Sequence, residues 1–369
     1  MKNKLVPAIR FKGFTNAWEL KKLNKTIDSI PVDKYTSKKI SYTGKPVYQQ
    51  GDNPLFSFSE DKNTFNDYKR VVLFGDHSFS TFLPKTPFLV VREGLKILLI
   101  PNEDTNFIKL LIDKIRPISI TYRRHFSLLL ESKISLTSIK EQKNISHLFS
   151  SIERVISLLQ RKLEKLENIK NTLLEKMFAS AKSSYPAIRF KGFTNAWEQK
   201  RVGDIFEITR GEVISTTKLS PIKSSKYIYP VYSSKTVNNG LLGYHTEYLF
   251  DTAITWTTDG AGAGKVAFRP GKFYSTNVSG VLLGKIDYTN NAVAHALNNV
   301  AYKHVASAGI PKLMNNVMAE IKISIPPLSE ETNKISILIN SLNMVVSLLQ
   351  RKLEKLENIK NTLLEKMFV

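Results

Sequence analysis

Two guanidinium groups stand side by side at Arg123 and Arg124, flanked by Tyr122 and His125 in a polar aromatic segment. A planar guanidinium can fork onto the edge of guanine or hold backbone phosphates, and such a pair suits either task. A surface salt-bridge cluster is the other reading of the same residues. The chain offers less to covalent chemistry. Gly260-Ala261-Gly262-Ala263-Gly264-Lys265 resembles a phosphate loop at first sight, but that spacing needs a glycine where Asp259 stands, and Val266 replaces the hydroxyl residue that would hold magnesium. The run reads instead as a tight hairpin loop whose small residues permit close backbone approach. His77, His125, His147, His245, His295 and His304 show no metal-ligand spacing. No Asp or Asn precedes a Pro-Pro-aromatic run, the pattern of an adenine-extruding pocket; Pro326-Pro327 is followed by Leu328. The chain therefore reads as non-catalytic, without a cofactor or metal of its own; a nuclease built from scattered acidic residues and lysines is the enzymatic alternative that the sequence leaves open.

Charge points to the partner. Lys and Arg total 54 against 32 for Asp and Glu, a formal charge of +22 over 369 residues, which favours a polyanion, with nucleic acid the leading candidate. At 42% hydrophobic the chain can bury substantial cores and should form more than one domain. With no cysteine, disulfides and thiolate metal sites are excluded. No segment approaches the roughly 20 apolar residues of a membrane helix, and the N-terminus lacks a secretory apolar core, so the expected location is the cytoplasm.

The elements that position these residues come in two copies. Residues 157–178 recur unchanged at 347–368, and 7–19 recur at 186–198, whereas the sequences between differ almost completely. The scaffold is duplicated while the working surfaces are not. Lys133-Ile134-Ser135-Leu136 and Lys322-Ile323-Ser324-Ile325 each read as a short strand turning into a helix, with Glu141 matched to Glu330 near the helix start. Each helix then follows a heptad. In the first, Ile145, Ile152, Leu159, Leu166 and Leu173 are joined by Leu148, Val155 and Ile169; in the second, Ile335, Leu342, Leu349, Leu356 and Leu363 are joined by Leu338, Val345 and Ile359. Lys162, Lys176, Lys352 and Lys366 fall on the same seam. Each helix could zip to its copy in a homodimer, but pairing within one chain is favoured by effective concentration, and a pseudo-two-fold repeat makes that pairing antiparallel.

The expected fold is mixed α/β: globular domains at 1–138 and 181–327, separated by two long helices at 139–180 and 328–369 that form an antiparallel intrachain coiled coil. In the first domain, 70–74 with 80–83 and 87–91 with 96–100 read as hairpins, and in the second 253–257 with 265–268 does the same. Each domain should close with a helix, near 105–114 and 290–305. Trp18 and Trp197 read as core anchors where the domains meet the helices.

With the two openings Phe11-Lys12-Gly13-Phe14 and Phe190-Lys191-Gly192-Phe193, each followed by Trp-Glu, the chain resembles the specificity subunits of type I DNA restriction-modification systems over essentially its whole length. Gly75-Asp76-His77-Ser78, Tyr122-Arg123-Arg124-His125-Phe126, Pro311-Lys312-Leu313-Met314-Asn315 and both Leu-Leu-Glu-Lys-Met-Phe tails carry the resemblance further. Two positions depart from the family pattern, Ser78 for Thr and Thr121 for Gly. The resemblance implies a non-enzymatic subunit in which each domain reads one half of a split site on double-stranded DNA. The helices would set the spacing and dock two modification subunits, which bind S-adenosylmethionine and methylate adenine, while restriction subunits supply nuclease and translocase chemistry with Mg and ATP. A coiled-coil adaptor without sequence-specific DNA binding is the alternative.

On that reading Tyr122, Arg123, Arg124 and His125 face DNA in the first domain, and Lys312 takes the comparable place in the second. Asn315, with Asn316, could offer amides to an adenine edge or cap a helix. His77 either reaches a base or closes its turn, and Lys235, Asn238, Asn239 and Lys265 lie in loops suited to phosphate or base contact.

Overall fold

The computed structural model describes residues 5–37, 40–116, 124–180, 183–234, 238–284 and 288–369. Tyr122, Arg123 and Lys235 lie outside the described residues. Contacts divide the chain into two units, one joining 1–160 to 351–369 and the other taking 161–350.

The first unit begins with β1 (Glu19–Lys22), β2 (Asp28–Ile30), β3 (Lys45–Tyr48) and β4 (Leu55–Ser59). Then come β5 (Val71–Gly75), β6 (Thr81–Phe82), β7 (Leu89–Val90), β8 (Leu95–Leu99), α1 (Thr105–Lys114), α2 (Phe126–Glu131) and β9 (Lys133–Leu136). The helix α3 (Ile139–Lys176) carries the chain into the second unit. There follow β10 (Glu198–Arg201), α4 (Val202–Ile205), β11 (Phe206–Arg210), β12 (Tyr229–Tyr232) and β13 (Leu241–His245). The unit continues through β14 (Phe250–Thr257), β15 (Val266–Ser275), β16 (Ser279–Gly284), α5 (Asn291–Ala301), α6 (Asn315–Glu320), β17 (Lys322–Ile325) and α7 (Ser329–Met367), whose residues from 351 belong to the first unit.

One topology underlies both units. The second has a six-stranded sheet in the order β11-β16-β14-β15-β12-β13, and the first has the same succession of neighbours cut in two, β2-β8-β5-β6 and β7-β3-β4. The cut falls where Pro84 and Pro87 interrupt the chain between β6 and β7 and remove ladder donors. In β15 a single proline, Pro270, sits at a register shift, so the strand survives. The hairpin expected from 87–91 and 96–100 is therefore absent: β7 runs parallel to β3, while β8, apolar on both faces, lies between β2 and β5. The hairpins β5-β6 and β14-β15 form as expected.

Alternation along the central strand builds the cores. In the first unit Val72, Phe74 and Leu98 pack with Phe107, Ile108 and Leu111 of α1, while Val71, Leu73 and Ile97 meet Tyr48, Phe65 and Phe88 on the other face. In the second, Ile254, Trp256 and Leu282 pack with Val293 and Leu297 of α5. Asp104 caps α1 by accepting from the Phe107 N–H at 2.9 Å. Asn290 caps α5 by accepting from Ala292 and Val293 at 3.0 and 3.1 Å. The helix expected over 290–305 ends at Ala301 and tightens into a 3-10 turn to His304.

The duplicated blocks form duplicated joints. β1 pairs antiparallel with β9, Glu19 opposite Leu136, and β10 pairs in the same way with β17, Glu198 opposite Ile325. Trp18 is buried edge-on to Phe368 and Trp197 edge-on to Phe178, the anchoring roles expected of both. The Ile9 N–H caps the Lys366 carbonyl at 3.0 Å, and its twin, the Ile188 N–H, caps Lys176 at 2.9 Å. Arg10 forks onto Glu141 at 2.6 and 2.8 Å, and Arg189 onto Glu331 at 2.6 and 2.7 Å. Those hydrogen bonds raise both arginines above their ordinary value. The partner of Glu141 by position is thus Glu331, not Glu330. The extra residue beside Pro326-Pro327 lengthens the second strand-to-helix link by one and shifts the frame.

Helix pairing is antiparallel within each unit. In the first, Ile145 and Phe149 near the start of α3 meet Met367 and Phe368 at the end of α7, and Glu153 pairs with Lys360 at 2.9 Å. In the second, Leu173 and Met177 meet Ile335 and Ile339. The seam itself differs from expectation. Ile145, Ile152, Leu159, Leu166 and Leu173 face inward, but their companions lie four residues on rather than three: Phe149, Ile156, Leu163, Lys170 and Met177. Val155 and Ile169 are instead 42% exposed, and Lys162 and Lys176 point outward with them. The second helix agrees, with Ile339, Val346, Leu353, Lys360 and Met367 inward and Val345 and Ile359 at 39% and 40% exposed. Of the expected companions at the second heptad position, only Leu148 and Leu338, beside the globular cores, join the packing. Both frames share the same 3.5-residue repeat, and burial favours the one that puts leucine rather than lysine at its middle.

Candidate nucleic-acid interface

In each unit the candidate residues gather at the C-terminal end of the central strand. In the first, β5 ends in the turn 75–80. The Asp76 backbone carbonyl accepts from the His125 N–H at 2.9 Å, and the Asp76 carboxylate accepts from the Phe126 N–H at 2.8 Å. That buried aspartate locks the Gly-Asp-His turn to the Arg-His segment. Gln50, in the loop after β3, accepts from the His77 N–H at 3.0 Å, and Ser80 accepts from the Gly51 N–H at 2.9 Å, so a third loop joins the cluster. Neither Asp76 nor Gln50 stood out as a site residue in the sequence, although the Gly-Asp pair before His77 was a signal for the first.

Arg124 is exposed beside this turn, and His77 is half-buried. His125 is a correction: it is fully buried, its ring edge-on to Phe79 with centroids 5.6 Å apart, and it precedes α2 as a core residue. A histidine amid alternating polar neighbours carries no sequence mark of that burial.

The second unit repeats the plan with other side chains. The Leu313 N–H donates to the Thr258 carbonyl at 2.8 Å, the counterpart of the His125 bond, and buried Leu313 fills the place of buried His125. Lys312 therefore precedes the bonded residue in the second unit as Arg124 does in the first. Half-exposed, Lys312 reaches Asp259 at 3.9 Å, so its charge is partly balanced. Trp256 donates through Nε1 to the Leu313 carbonyl at 3.0 Å and needs Gly280 opposite, where a Cβ would lie 2.1 Å from the indole.

The glycine-rich run forms the expected tight turn between β14 and β15, with the Gly264 N–H bonded to the Thr257 carbonyl at 2.9 Å and Lys265 exposed at its end. Asn238 and Asn239 are exposed in left-handed backbone, φ 49° and 52°, which asparagine tolerates better than most residues. Asn239 and Lys265 line one cleft with Ser233, Thr255, Thr257 and Arg269. Asn315 is the first residue of α6 rather than its cap, and its Oδ1 accepts from exposed Arg210 at 3.4 Å. Arg210 and Arg269 are cations that sequence reasoning missed, because each lies within a strand and resembles any exposed strand residue.

Residues 195–358 match the family described as the type I restriction modification DNA specificity domain. A Mycoplasma pneumoniae protein named as the N-terminus of a type I specificity subunit is 45% identical over 126 residues, covering 33% of this chain and 66% of its own. The second half of this chain thus carries a type I restriction-modification DNA specificity domain. The specificity subunit of the type I restriction enzyme MpnII, from the same species, is 41% identical over 135 residues, 36% of this chain and 40% of its own. The matched stretches thus cover less than two thirds of these relatives. The fold likeness runs further: the crystal structure of the type I S subunit from M. genitalium covers 99% of both chains with a TM-score of 0.73 at 16% identity.

Proposed function

We propose that the chain is the DNA-reading subunit of a type I restriction-modification complex, with each globular unit reading one half of a split site on double-stranded DNA. What carries this reading is the pairing of unlike surfaces with like scaffolds. Arg124 and Lys312 occupy equivalent places at the end of β5 and β14, on topologically matched sheets, while the residues around them differ. A chain of +22 with cations at both positions suits a polyanion, and two unlike surfaces suit two unlike half-sites. The paired helices fix the spacing and offer their outward faces to two modification subunits, which bring S-adenosylmethionine and methylate adenine. Restriction subunits bring nuclease and translocase chemistry with Mg and ATP. The chain itself catalyses nothing and works in the cytoplasm.

Mapping methylated adenines in DNA from cells that express the chain with its modification partners tests this. The expected result is a single bipartite motif, half of which changes when 203–321 is exchanged for the matching span of a relative. Absence of sequence-specific DNA retention by the assembled complex would replace the reading with a scaffold that holds subunits but not DNA.

A further inference from the structure

The strand face opposite α5 holds a buried charge. Arg269, on β15, is 6% exposed. Its Nε donates to Thr255 Oγ1 at 3.1 Å and its guanidinium lies over the Tyr232 ring at 3.8 Å from the centroid. No carboxylate forms an ion pair with it among the described residues. Burial pulls its pKa below the ordinary arginine value, with Tyr232 acting in the opposite sense, which is the signature of a desolvated cation lacking a full counter-charge.

The first unit fills the positions that match Thr255 and Tyr232 without a charge. Register aligns Thr255 with Leu73 and Tyr232 with Tyr48, since Leu73 and Thr255 face Ile97 and Val281 and both tyrosines follow a Pro-Val pair on a strand parallel to its neighbour. There Tyr48 packs against Phe82 at 4.8 Å and Phe88 at 5.8 Å, in an aromatic and aliphatic cluster with Leu73 and Ile97. An apolar filling is as stable as a buried charge or more so, so a buried arginine here points away from packing. The same cleft carries exposed Lys265 and Asn239.

We infer that Arg269 is a DNA-contacting residue of the second unit, its guanidinium held flat by Tyr232 and Thr255 and presented with Lys265 and Asn239 to an oxygen acceptor of the DNA, a guanine edge or a phosphate. This rests on the DNA-reading function proposed above. A stacked, tethered guanidinium loses little freedom on binding, which is what bidentate recognition needs.

The test uses the full chain assembled with its modification partners, on duplexes carrying the bipartite site mapped for the wild type. Arg269→Met should leave the melting temperature equal or higher and weaken DNA retention by about ten- to a hundred-fold. Relaxed methylation at one base of the second half-site marks a guanine contact, whereas uniform loss with a shallower salt dependence marks a phosphate. Wild-type affinity and an unchanged methylated motif in Arg269→Met would overturn the inference. So would a large drop in melting temperature with both stability and binding restored by Arg269→Lys, since that is a packing role. If the wild-type complex itself retains no DNA, the function proposed above fails rather than this assignment.

Discussion

Replacing Glu331 by Gln should destabilise the second unit far more than replacing its neighbour Glu330. Glu331 is 1% exposed and takes two hydrogen bonds from Arg189, at 2.6 and 2.7 Å. Removing its charge strands a nearly buried guanidinium. Breaking such a pair from one side costs about 3–5 kcal/mol, and because Gln keeps one acceptor the lower end applies, about 3 kcal/mol. For a domain of this size each kcal/mol moves the midpoint by about 2–4 °C, so the melting temperature should fall by about 6–12 °C. Glu330 is 74% exposed and meets Lys334 only at 3.8 Å, an arrangement worth about 0.5 kcal/mol or less. Calorimetry on the two single variants decides the matter. Equal shifts, or a fall under about 2 °C for Glu331→Gln, would refute the reasoning. The pair Arg189→Met with Glu331→Leu should recover most of the loss, because an apolar contact removes both desolvated charges together.

Three further outcomes follow from the same geometry. Ile339→Ala, on the inward side of α7, should cost about 2–4 kcal/mol, against about 0.5 kcal/mol for Val345→Ala at 39% exposure; equal costs in denaturant titration would restore the seam with Val345 inward. Arg124→Ala and Lys312→Ala should each weaken DNA retention by about 1–3 kcal/mol if they reach a base and relax only the first or only the second half of the methylated motif, whereas a change in both halves by either variant would defeat the equivalence of the two positions. Burial holds the His295 imidazole below its ordinary value of 6.5, with Lys170 acting in the same sense and a bond to the Leu174 carbonyl in the other. The unfolded chain therefore binds a proton that the folded one refuses, and stability should fall as pH drops through about 6.5. His295→Phe should flatten that part of the melting curve against pH, and an unchanged slope would remove His295 as its source.

The parts of the fold that repetition marks were legible in the sequence, and the parts that depend on three-dimensional choice were not. Identity between 7–19 and 186–198 announced twin joints, and the structure builds them with the same register and the same Arg–Glu forks. Periodicity located both long helices but left two seams open, since leucines at one heptad position are compatible with partners three or four residues on. Burial of Phe149 and Met177 beside exposed Val155 and Ile169 chose between them. The frame of the second helix slipped by one because Pro326-Pro327 adds a residue that linear matching cannot weigh. Strand content was readable from Val71-Val72-Leu73-Phe74 and its kin, but partnership was not: β7 and β8 adjoin in sequence and still join different sheets. At the candidate interface, the correspondence of Lys312 with Arg124 could be read from order along the chain. His125 was misread because a short polar segment does not reveal which residue turns inward, and Arg269 was missed because a charged residue in a strand is ordinarily a solvated one.

The period of two along the central strand explains how one scaffold can hold two unlike surfaces. Phe74 and Trp256 lie at equivalent positions and both face the helix-covered core, where any change in volume disturbs α1 or α5. Their neighbours Leu73 and Thr255 face the other way, and there one unit builds an apolar cluster around Tyr48 while the other keeps a tethered arginine over Tyr232. Because successive side chains leave a strand on opposite faces, the second set can change character without repacking the first. The turn that follows is fastened by backbone bonds, Asp76 to His125 in one unit and Thr258 to Leu313 in the other, which tolerate substitution of the side chains they carry. The two faces of one strand thus diverge independently: Phe74 and Trp256 keep the helix-covered side apolar, while Leu73 and Thr255 give the other side an apolar character in one unit and a polar one in the other.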